Sequence, residues 1–142
     1  MSTRANILFK DEWGDELWFY RHSDGYPKGV KPTLSKFVDW VVDGKIRDNI
    51  SQACGWLILL GAKEYSVYWD IDTSETKEKP TMFEPSGNVL SSWKCGAYEP
   101  TTQQHGDIEF LYTVDFKERT VTVKGLYGAK QEFVYSFEEY RQ

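Results

Sequence analysis

Two hydrophobic periods run along this chain, and the switches between them predict its layout. Ala5 to Lys10 has period two, with Ile7 and Phe9 on one face. Asp11 to Asp15 sets Gly14 among acids and reads as a turn. Glu16 to Arg21 is a second, aromatic-rich strand, so the chain opens on a hairpin. Asp24-Gly25 and Tyr26-Pro27 are turn dipeptides, which predicts a shaped loop over Ser23 to Lys31. The period then lengthens. Pro32 opens a helix with Thr33 as its N-cap, and Leu34, Phe37, Val38 and Val41 make one buried stripe before Asp43-Gly44 ends it. A second helix is expected from Asp48 or Asn49. Its stripe is Ile50, Ala53, Cys54, Leu57 and Ile58, and Gly61 is its C′ residue.

Between Ala62 and Ser92 neither period persists. Tyr65 to Ile71 predicts a short strand, Asp72 to Lys79 is polar, and Pro80, Pro85 and Gly87 follow. This is expected to be a mobile insertion, at about residues 66–92, on a single domain spanning 1–142. Trp93 to Tyr98 reads as a strand and Glu99 to Gly106 as a polar loop. Ile108 to Asp115 alternates, with Ile108, Phe110, Tyr112 and Val114 on one face. Thr120 to Leu126 turns Val121 and Val123 inward, and Gln131 to Ser136 is a last strand before a short terminal turn from Phe137. The order predicts an α+β fold: an antiparallel sheet, made of the N-terminal hairpin and a C-terminal meander, with two helices packed on one face.

Charge narrows the function classes. The net charge is −5 and no run of Lys or Arg occurs, which argues against direct nucleic-acid binding. The longest apolar run, Trp56 to Leu60, is too short to span a bilayer, and the N-terminus lacks an apolar leader. Cys54 and Cys95 have no Cys-x-x-Cys spacing and are expected to be reduced, buried thiols. These readings predict a soluble, cytoplasmic protein, and no motif calls for a cofactor. An aromatic share of 16% suits a core of few large side chains, a ligand pocket or a partner surface, and it permits a homodimer without marking a seam.

The sharpest chemical feature is an echo. Both histidines occur as His-x-Asp: His22-Ser23-Asp24 and His105-Gly106-Asp107. Residues i and i+2 of an extended segment point the same way, so each pair presents an imidazole with a carboxylate. If the pairs converge, His22, Asp24, His105 and Asp107 would suit a divalent metal or an acid–base pair, hence a small metal-dependent hydrolase. The leading expectation uses the same loops without catalysis. Arg4 and Arg21 would pair with negative charge, Tyr26 and Tyr98 would stack, and His22, Asp24, Glu99, Thr101, His105 and Asp107 would hydrogen-bond. The target would be a host protein or a small anionic, nucleotide-like ligand. A third expectation assigns function to the 62–92 excursion. Cys54 falls on the helical stripe, which speaks for core rather than nucleophile.

Ser2-Thr3-Arg4-Ala5-Asn6-Ile7, then Tyr20 to Pro27 and Gly29, resemble a family of small proteins from phages, prophages and bacterial genomes. That family opens with an S-T-R or T-R strand followed by a D-G-Y-P turn. Gly96 to Pro100, His105 to Glu109 and on to Tyr112 resemble it too. The resemblance covers the N-terminal third and Gly96 to about Asp115, and leaves out Ser66 to Ser92. It implies a setting and no activity: a mobile-element accessory protein, often one that counters host defence by binding a protein or sequestering a nucleotide signal.

Overall fold

Ala5, Ile7 and Phe9 face one way from the first strand and are buried, and the remaining elements assemble around them. The computed structural model describes residues 2–78, 96–128 and 131–142. β1 (Ala5–Lys10) and β2 (Glu16–Arg21) form the expected hairpin, in the register Ala5↔Arg21 to Lys10↔Glu16. The meander is β6 (Phe110–Asp115), β7 (Thr120–Gly125) and β8 (Glu132–Ser136), with β5 (Glu99–Thr101) at the far edge. One six-stranded sheet results, in the order β5-β2-β1-β6-β7-β8. Hairpin and meander are joined by a parallel pairing of β1 with β6, whereas the other ladders among the described residues are antiparallel.

The helices cover one face, as the pattern predicts. α1 (Pro27–Val42) buries Val30, Leu34, Phe37, Val38 and Val41. It begins at Pro27 rather than Pro32, so most of the expected loop is helix. A proline at the first helical position loses no hydrogen bond, and Val30 extends the stripe by a turn. α2 (Ile50–Ser66) is capped by Asn49, whose Oδ1 accepts the N–H groups of Ser51 and Gln52 at 3.0 and 3.3 Å. It runs past Gly61, which is not a C-terminal residue but a point of close approach. A Cβ there would lie 2.9 Å from the Tyr98 ring, and the Gly61 carbonyl accepts the Ala97 N–H at 3.1 Å. A short α3 (Phe137–Tyr140) follows a capping box of Ser136 and Glu139. Phe9 contacts Phe19 and Phe37 edge-on, at 5.6 and 5.3 Å between centroids, at the centre of the core.

Two readings of the middle of the chain change. β3 (Val67–Asp70) and β4 (Glu75–Glu78) form a separate antiparallel hairpin, so the polar run from Asp72 is partly ordered. The Asp70 carboxylate accepts the Asp72 N–H at 2.9 Å and pairs with Lys77 at 3.0 Å, which explains why so polar a segment turns tightly. The rest of the expected insertion, with Trp93 and Cys95, lies outside the described residues. Glu99–Thr101, expected as loop, is the edge strand.

The sheet is tied to α2 by Arg21, whose side chain is 1% exposed. Its Nη1 donates to Glu64 Oε2 at 2.9 Å, its Nη2 pairs with Glu64 Oε1, and its Nε donates to the Ser23 carbonyl at 2.8 Å. The Tyr98 ring lies 5.1 Å away, and its hydroxyl meets that of Thr33 at 2.7 Å. Burial pulls the Arg21 pKa down, but Glu64 and Tyr98 outweigh it and the net direction is up. The partners are unequal, because Arg21 cannot shed its proton whereas Glu64 is 27% exposed and can reach water. Glu64→Leu should therefore cost more stability than Arg21→Met: about 4–5 against about 3 kcal/mol. Denaturant unfolding of both variants checks this, and the reverse order would contradict it.

Candidate functional site

The face of the sheet away from the helices carries the alternate residues, and the hairpin register sets Asn6 opposite Tyr20 on it. β5 adds Glu99 opposite Tyr20 and Thr101 opposite Trp18. Because β1 and β6 run parallel, the residues preceding both strands meet. The Arg4 carbonyl accepts the N–H of Glu109 at 2.8 Å, which draws the 102–109 segment back over the start of β1. Asn6 pins that segment. It is fully buried, its Nδ2 donates to the Phe19 carbonyl at 2.9 Å, and its Oδ1 accepts the His105 N–H at 2.7 Å.

The two histidines therefore converge on one ring. His105 stacks on Tyr20, with centroids 4.2 Å apart and planes at 13°, and its Nε2 lies 3.1 Å from Thr101 Oγ1. His22 approaches from the strand end, its Nδ1 3.0 Å from the Tyr20 hydroxyl. Arg4 Nη1 pairs with Asp107 Oδ2 at 3.1 Å beside them. Burial and then the Asp107 charge push the Tyr20 phenol above its ordinary pKa, while Arg4 opposes them. Tyr20 keeps its proton at neutral pH. When it donates to His22 Nδ1, the neutral His22 carries its own proton on Nε2.

Six of the expected site residues thus share one surface: Arg4, His22, Glu99, Thr101, His105 and Asp107. Four do not. Arg21 follows Tyr20 in the strand and so points to the opposite, core face, where Glu64 and Ser23 use all three of its nitrogens. Tyr98 is wholly buried on the same side, and burial pushes its phenol up. Neither is presented to a ligand. Tyr26 is exposed at the N-cap of α1. Asp24 is an exposed turn residue with φ 56°, and the turn closes so tightly that a Cβ on Gly29 would lie 2.1 Å from the Asp24 carbonyl oxygen. Among the described residues no three His, Cys, Asp or Glu side chains come together to hold a metal ion. Cys54 lies in the core, where burial pushes its thiol up, away from the nucleophilic thiolate.

Comparison with known proteins finds no family model, no curated protein and no solved structure that matches this chain. The chemistry of the patch has to be read from its geometry. Two cavities, of about 220 and 250 Å³, open elsewhere and are lined by none of its residues. Asn6 and Tyr20, which build it, were not among the expected site residues. The signal was there for Asn6, a lone amide in the apolar run Ala5 to Phe9.

Asn6→Ala would leave the His105 N–H without its acceptor and take the side-chain hydrogen bond from the Phe19 carbonyl. It should cost about 1–3 kcal/mol of stability. Unfolding in urea tests this, and a loss below about 0.5 kcal/mol, the level of an ordinary surface substitution, would contradict it.

Proposed function

We propose that this is a non-enzymatic binding protein whose contact surface is the patch around Tyr20, and that its target is a protein. One observation carries the reading: two part-exposed imidazoles are held against the buried Tyr20 ring, beside an exposed Arg4–Asp107 ion pair. Groups fixed by stacking and by a buried amide lose little freedom when a partner docks. Tyr and Arg are enriched at the energetic centres of protein interfaces. A small anion gains less here, because Asp107 already matches the charge of Arg4 and Glu99 lies on the same face. No helix among the described residues is long and apolar enough to cross a membrane. The phage and prophage setting implied by the resemblance would put the partner among host proteins in a bacterial cytoplasm, as in counter-defence.

One observation favours the small anion as a second reading. Arg4 Nε is buried and has no hydrogen-bond partner among the described residues, a donor left over after Asp107 has taken a terminal nitrogen.

Affinity capture from bacterial lysate with the wild type, Arg4→Glu and His105→Ala separates the readings. A defined protein should be retained by the wild type and lost, or weakened at least about tenfold, by both variants, with unchanged circular dichroism. A nucleotide-sized ligand on the wild type alone would move the assignment to the anion. Capture unaffected by either substitution would overturn both.

A further inference from the structure

The two edges of the sheet are finished differently. The β5 edge is three residues long and contains Pro100, which has no N–H to offer a further strand. β8, Glu132 to Ser136, closes the other side with β7 as its ladder partner. It carries no proline or lysine, and Phe133 and Val134, on opposite faces of the strand, are 50% and 61% exposed. Among the described residues no strand pairs with its outer side, and an edge that shows apolar side chains on both faces is what a sheet avoids unless the edge is used. Beside it the 250 Å³ cavity, lined by Phe110, Val123, Tyr127 and Phe133, extends the apolar area.

We propose that β8 is the seam of a homodimer: it pairs antiparallel with β8 of a second copy about a two-fold axis through Val134, joining the two sheets into one. The sequence Glu-Phe-Val-Tyr-Ser is self-complementary in that register. Val134 faces Val134, Phe133 faces Tyr135 twice, and Glu132 faces Ser136, so the contact gains two aromatic cross-strand pairs. Glu132 is the one carboxylate in the strand, which has no Lys, Arg or His. The two copies of it stand four residues apart along the pair, roughly 13 Å, beyond the reach of charge at physiological salt. A strand from another protein could also add to this edge, but it would need to supply the aromatic match that the second copy brings by symmetry. The Tyr20 patch lies toward the β5 edge, so pairing through β8 leaves it uncovered and the dimer presents it twice.

Sedimentation equilibrium tests the seam. The wild type is expected at twice the 16.6 kDa chain mass, and a single-chain mass at tens of micromolar would overturn the proposal. Val134→Lys puts a charge on an exposed position of the edge. It should give a folded monomer by circular dichroism, and a dimer that survives this substitution would overturn the assignment to β8. If that variant fails to fold, amide exchange of the wild type decides. Protection of residues 132–136 that falls on dilution is expected; protection independent of concentration, with the strand open at every dilution, would overturn it.

Discussion

The parallel pairing of β1 with β6 is the constraint on which the rest depends. A hairpin and a meander could each form from near neighbours in sequence, but neither alone would bury the helices. Their junction is a ladder between segments about a hundred residues apart, in the register Ala5↔Phe110 to Lys10↔Asp115. A parallel pair needs a crossover, and here the crossover carries α1, α2 and the β3–β4 hairpin. Closing so long a connection costs only logarithmically more than a short one, and the shared core offsets it. Because both strands run the same way, what precedes one lies beside what precedes the other. That places Asp107 beside Arg4 and the His105 amide on Asn6.

The same alternation divides two arginines into two roles. Arg4, just outside the strand, keeps a half-exposed guanidinium paired to an exposed carboxylate, a contact that is weak and open to competition. Arg21 is desolvated and fully partnered, and holds β2 to α2 and to the segment at Tyr98. A charge enclosed in this way specifies how elements meet more than it recognises anything outside. Tyr20 and Arg21 are sequence neighbours on opposite sides of the sheet, so the patch is fastened from behind by a buried ion pair.

Much of the fold was legible. Period-two alternation gave β1, β6 and β7, aromatic content gave β2, the 3.6 stripes gave both long helices, and the packing of helices on one face followed. What failed did so for local reasons. Pro27 and Pro32 are both acceptable helix openers by type, and only the burial of Val30 decides for the first. Gly61 looks like a helix end in sequence, whereas its missing Cβ admits Tyr98. The parallel ladder was not legible, since strand pairing partners leave no mark on periodicity. Of the candidate site, the echo of the two histidines was readable, while the meeting of both on Tyr20 was left open. Arg21 and Tyr98 were misassigned because charge and aromaticity suggest contact surfaces until burial is known. Tyr20 was visible only as one more ring.

The claim that most needs direct measurement is that His105 joins His22 on Tyr20 because β1 and β6 are paired. Nuclear Overhauser spectroscopy on the folded protein reads this at the side chains. Cross-peaks between the His105 and Tyr20 rings and between His22 and Tyr20 are expected, together with upfield ring-current shifts of the His105 protons and backbone contacts from β1 to β6. A folded protein that shows the β1–β6 contacts but no His105–Tyr20 contact would contradict the account. The sheet would then stand without the surface it is argued to build.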